Sequence, residues 1–179
     1  LVEGPADQII LAGMARLIRN SVNHAARETL DLNRIVLVPC GSASQVPYMA
    51  YLIRGRDKEK PPVVALLDKD EAGDDAAKEF AKNKKLQRLV EQDLVLQLDE
   101  EGVYGDAPPK TVEIEDYLPP ALALAAANHL LAEVSAFRDG EAPLLTAHSL
   151  QAALNEPDNG VFKSLNIAAS EHDSKLEKM

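Results

Sequence analysis

Apolar residues follow two kinds of spacing along this chain, and the alternation between them predicts the fold class. Val2 closes a short apolar strand. From Asp7 to about Leu30, Ile9, Ile10, Met14, Leu17 and Ile18 recur at helical spacing and predict a first helix with one apolar face. Arg34–Pro39 (RIVLVP) is instead continuous and β-branched, the pattern of a buried parallel strand. A small-residue loop, Gly41-Ser42-Ala43-Ser44, leads into a predicted helix over Val46–Arg54. A charged, proline-closed loop over Lys58–Pro62 leads into a second continuous run, Val63–Leu67 (VVALL), and a third helix is predicted from Asp74 to about Val90. Leu94–Leu98 and Thr111–Ile114 read as strands around a Gly/Pro-rich connection, and Pro119-Pro120 opens a helix to about Phe137, since proline suits a first helical turn.

Apolar strands alternating with helices predict an α/β fold, a doubly wound parallel sheet flanked by helices on both faces. Ligands bind such sheets at the carboxyl ends of the strands. Beyond Asp139 the pattern loosens. Leu144, Leu145, Leu150 and Leu154 predict one or two short helices, and SEHDSKLEKM a frayed end. The expected organisation is one α/β domain over residues 1–138 and a mainly helical extension over 139–179. No apolar run approaches the roughly 18 residues of a membrane span. LVEGPAD lacks the basic start of a signal peptide, and Leu1-Val2 reads as the tail of a strand, so the chain is expected to be a fragment of a longer protein.

Charge changes this picture. The chain carries a formal net charge of −10, which by itself argues against nucleic acid as a partner. Its distribution is uneven: residues 1–60 sum to +2, residues 61–120 to −8 and residues 121–179 to −4. A single cysteine, Cys40, excludes an internal disulfide framework and a Cys-based zinc site, which fits a reducing, cytoplasmic home.

The acid gathers at predicted strand ends. Glu3 follows Val2, with Asp7 four residues on; Asp68 and Asp70 follow VVALL directly; Glu113, Glu115 and Asp116 lie at or just after the end of the last candidate strand. Carboxylates crowded at one sheet edge repel unless a divalent cation neutralises them, and oxygen-only ligands point to Mg²⁺ or Mn²⁺. Two such ions are the usual device for cleaving a phosphodiester. Each cluster also suits a plainer role, because acids cap helices and complement their dipoles. DKDEAGDDAAKE matches several places of a calcium-binding EF-hand loop, but Ala72 stands where a ligand is wanted and a strand, not a helix, precedes it. There is no Gx₄GK[ST] loop, dinucleotide fingerprint or GxSxG serine context, and His24, His129, His148 and His172 lack ligand spacing.

EGPAD after a strand, LLDKDEAG after a strand and then IEDYLPP resemble the Toprim domain shared by topoisomerases, DnaG-type primases and several nucleases. The second acid of EGPAD, the VPCGSAS stretch and IEDYLP look like the OLD (overcoming lysogenization defect) branch, in which Toprim follows an ABC-type ATPase. The similarity covers about residues 1–137. It implies a two-metal nuclease site with Glu3, Asp7, Asp68 and Asp70 as core ligands and Glu113, Glu115 or Asp116 completing the second metal. It also implies a late lysine that stabilises charge at the scissile phosphate, for which Lys163 is the candidate. The same lysine reads equally as a solvated surface residue.

The implied partners are DNA, an ATPase domain preceding this chain in the same protein, and a second copy joined through that domain, with no membrane. Arg54, Arg56, Lys58 and Lys60 in one stretch, and Lys82, Lys84, Lys85 and Arg88 along one helix, form two basic strips suited to phosphates. With aromatics at 4% and no Trp, contact is expected to be to the backbone rather than by stacking. The competing readings are another Toprim enzyme (topoisomerase, primase or recombination mediator) and a non-catalytic receiver-like module with Asp68 as phospho-acceptor. The last lacks the acidic pair on its first strand and the late lysine it would need.

Overall fold

The structure is a computed structural model describing residues 1–20, 30–56, 61–98, 111–137, 145–154 and 160–170. It is mixed α/β and mostly helical, with a small parallel sheet. It divides into two compact units, Leu1–Leu98 and Asp99–Met179. The boundary expected near residue 138 and this division fall in different places, because the helix before 138 shares a core with the helices after it.

In the first unit, helix α1 spans Pro5–Asn20, with proline at its first position as its fixed φ favours. Residues 21–29 of the longer helix expected there lie outside the described residues. A 3-10 turn at Ala43–Gln45 runs into helix α2, Val46–Arg56. Strand β1 is Ala65–Leu67 and strand β2 is Val95–Gln97, paired in parallel with Ala65 opposite Val95.

Two further segments extend this pair by hydrogen bonds alone. The Leu1 nitrogen donates to Val64 O and the Leu66 amide to Leu1 O, the two-residue step of a parallel ladder. On its other side Val2 donates to Val38 O and accepts from the Cys40 amide, making a parallel bridge to Pro39. The chain start therefore lies between residues 38–40 and residues 64–66.

The expected strand over Arg34–Pro39 is corrected to this single bridge. Val36 is 82% exposed and Ile35 is also exposed, so the run is an edge and not a buried strand. Pro39, which has no N–H to give a ladder, suits an edge.

The predicted third helix is also corrected, into helix α3 (Glu71–Lys82) and helix α4 (Lys84–Gln87). Asn83 separates them: its backbone leaves helical geometry at ψ 101° and its side-chain oxygen accepts from the Lys85 and Leu86 amides, capping α4. Ala43, Val46, Ala50, Ala65, Leu67, Ala76, Phe80 and Leu86 form one core between α2, α3 and the strands. Phe80, at 1% exposure, contributes about 2–3 kcal/mol by its burial.

The second unit contains helices α5 (Pro120–Phe137), α6 (Ala147–Leu154) and α7 (Val161–Ser170). Ala123, Ala127, Leu131, Leu145, Leu150, Val161 and Leu165 make its core. Asn128 on α5 clamps the approach to α6 with both halves of its amide, donating to Leu145 O at 2.9 Å and accepting from Leu145 N at 2.8 Å. Of the strand expected over Thr111–Ile114 only Val112 keeps a bridge, and Ile114 instead opens a 3-10 turn, Ile114–Tyr117. Its cause is Asp116, whose side chain folds back onto the Glu113 amide. Among the described residues, no helix is long and apolar enough to cross a membrane.

Candidate functional site

The parallel pairing of the chain start with β1 brings two acidic residues together. Glu3 follows the bridge residue Val2, Asp68 follows Leu67, and the Asp68 amide donates to Glu3 Oε1 at 2.8 Å across 65 residues of chain. Both side chains are half-buried. Asp7 is buried on the first turn of α1, and its Oδ2 accepts from the Gly4 amide at 2.6 Å. That is one half of a capping box, so the capping role open to Asp7 is realised. Asp70 is likewise the N-cap of α3, accepting from the Gly73 amide at 2.7 Å.

Gly73 has no space for a side chain. A Cβ there would stand 2.1 Å from Asp68 O, so α3 starts hard against the backbone of the Asp68–Asp70 loop. From the strand side, Gln97 at the end of β2 donates to Asp74 Oδ1 at 2.9 Å and to Asp68 O at 3.4 Å, while Lys69 pairs with Asp74 at 3.3 Å. The Gln97 bond and then Lys69 hold the Asp74 carboxyl below its ordinary pKa. Sequence reasoning missed Gly73 and Gln97. The glycine three places after Asp70 was visible; nothing local pointed to Gln97.

The second unit joins the other candidates. Asp116 Oδ1 accepts from Val161 N at 2.6 Å and Oδ2 from Glu113 N at 2.8 Å, so one buried carboxylate closes its own turn and caps α7. Gly160 makes this possible, since a Cβ there would lie 2.6 Å from Asp116 Oδ1. Lys163 is exposed two residues into α7, so the turn carrying Glu113, Glu115 and Asp116 sits at the start of the helix carrying the lysine.

The all-oxygen set suits a hard divalent cation. Among the described residues, no three or more His, Cys, Asp or Glu side chains are grouped to hold an ion. Of the basic strips, Arg54 is engaged by the fold: its Nε donates to Leu89 O at 2.7 Å and its Nη1 to Pro61 O. Lys82, Lys84, Lys85 and Arg88 are exposed along α3 and α4. Lys58, Lys60 and the Arg56 side chain lie outside the described residues.

Comparison with known proteins finds no matching family model, no matching curated protein and no matching solved structure.

Proposed function

We propose that the protein is a Mg²⁺- or Mn²⁺-dependent DNA endonuclease of the Toprim type, similar to the catalytic part of OLD nucleases. The observation that carries this reading is the bond from the Asp68 amide to Glu3 Oε1, which joins acids at the carboxyl ends of two neighbouring parallel segments. Ligands of parallel sheets bind at that edge. The tie from Asp116 to the start of α7 supports it independently, since it links the IEDY turn to the helix of Lys163 across 45 residues.

In this reading Glu3, Asp7, Asp68 and Asp70 of the first unit would hold the ions. Bound divalent ions supply water activation and neutralisation of charge on the leaving oxygen. The chain's own part is positional and electrostatic. The Asp68 amide orients Glu3 and the close-packed start of α3 fixes the Asp68–Asp70 loop, while the resemblance gives Lys163 the part of stabilising charge on the scissile phosphate. Asp116 serves as the fastener of its turn, because both its oxygens already accept amide hydrogens. The proposed partners are DNA, an ATPase domain in the full-length protein and a second copy assembled through that domain, in the cytoplasm.

The test is nicking of supercoiled plasmid with Mn²⁺ or Mg²⁺ and without ATP. Activity should vanish in EDTA and return with metal. Asp68→Asn should abolish cutting with little change in melting temperature, and Lys163→Ala should lower single-turnover cleavage about 10²–10³-fold while Mn²⁺ affinity holds. Cleavage undiminished by EDTA sinks the mechanism, and normal cutting by Asp68→Asn sinks the site.

A further inference from the structure

A cleft of about 380 Å³ opens between the loop before α2, α2 itself and the α3–α4 junction, lined among others by Ser44, Tyr48, Tyr51, Asn83 and Lys85. Its volume lies within the range of about 300–1,000 Å³ usual for small-ligand sites. Tyr48 and Tyr51 stand one helical turn apart on α2, and both are exposed, at 56% and 48%. Large aromatic side chains bury well, so two exposed together on one face present flat surface to a partner. The Tyr51 ring lies along the helix over Gly55, where a Cβ would come within 3.7 Å of it.

Beside these rings the charge runs against that of the whole chain. Residues 82–88 (KNKKLQR) carry four cations and no acid in a protein of net charge −10. Asn83 fixes the start of α4 through the Lys85 and Leu86 amides, and Leu86 is buried beneath it. Lys84, Lys85 and Arg88 are thereby left exposed, with Lys85 at the cleft. Glu79 also lines the cleft, and its Oε1 accepts from Asn83 Nδ2 at 2.9 Å.

We infer that this cleft docks single-stranded DNA, with one or two unpaired bases on Tyr48 and Tyr51 and the flanking phosphates on Lys85 and its neighbours. Paired aromatic faces beside a positive strip read unpaired bases, because stacking needs a free base face and cations track the backbone. A duplex offers the phosphates but not the faces. The inference rests on the nuclease reading for the nature of the polymer, and it narrows the substrate to DNA with an unpaired stretch.

The experiment is fluorescence anisotropy of a labelled oligothymidylate in EDTA, where no cleavage occurs, against the matching duplex and the matching RNA. The parent protein should prefer the single-stranded DNA. Tyr48→Ala/Tyr51→Ala should bind it roughly 5- to 100-fold more weakly, while Tyr48→Phe/Tyr51→Phe should keep parental affinity. Lys85→Ala should reduce the salt slope of log K by about 0.7. Two of the four tyrosines line the cleft and there is no Trp, so oligothymidylate should quench tyrosine emission in the parent but not in the double alanine variant. Parental affinity in that variant, equal affinity for duplex, or tighter binding of RNA overturns the inference. Plasmid nicking with Mn²⁺ separates the two ideas. Tyrosine-dependent binding by a protein that never nicks overturns the nuclease reading and supports the cleft, whereas nicking with tyrosine-independent binding overturns the cleft alone.

Discussion

The two units use the same side chain, a carboxylate after a strand-like run, in different ways. In the second unit Asp116 is buried and spends both oxygens on amides from two elements, the 3-10 turn and α7. In the first unit Glu3, Asp7 and Asp70 each accept an amide hydrogen at the end of a strand or in the first turn of a helix, around a half-buried Asp68. One arrangement is a fastener that holds a helix. The other is a set of carboxylates at the end of a strand and at the starts of two helices, where Glu3, Asp7 and Asp70 each accept a backbone amide hydrogen. Acid density in the sequence does not distinguish the two; the elements whose amides each carboxylate meets do.

That contrast is broken most directly at Asp116. Asp116→Ala leaves the Glu113 and Val161 amides without their acceptor and should cost about 2–5 kcal/mol, read as a lower unfolding midpoint in urea. Wild-type stability with lost cleavage would instead make Asp116 a member of the reacting set and erase the contrast. Gly73→Ala comes next, at about 1–3 kcal/mol, because its Cβ must push the Asp68 backbone away. Its informative readout is cleavage, which should fall along with stability; stability lost with full cleavage would mean that the Asp68 loop need not be held.

Arg54→Ala removes donors to Leu89 O and Pro61 O and should cost about 1–2 kcal/mol with little change in DNA affinity. Lys84→Ala should do the reverse, weakening DNA binding without moving the midpoint. The smallest effect concerns acid. The Asp74 carboxyl has a lowered pKa in the folded protein, so its contribution is present above the ordinary carboxylate pKa of about 3.9 and is lost as pH falls through the lower folded value. Melting of Asp74→Asn should therefore lie slightly below the parent near neutral pH and converge with it in acid. A gap that persists in acid would remove the carboxylate as its cause.

Periodicity alone carried the alternation of strand-like and helical segments, the opening of α5 at Pro120 and the short helices after residue 139. These are local matters, settled by φ restriction at proline, by apolar spacing and by side-chain length. It did not reveal that α3 ends before Asn83, because a capping amide reads as an ordinary polar residue until its oxygen finds the next turn's amides. Nor did it show that RIVLVP is an exposed edge, since β-branched composition reports preference for a strand but not which neighbours cover it. Only the tertiary structure decided that the chain start lies between residues 38–40 and 64–66, that Glu3 meets Asp68, and that Asp116 holds α7. Those partners stand 65 and 45 residues apart, and a hydrogen bond of such span leaves no period in the sequence for either residue to announce the other.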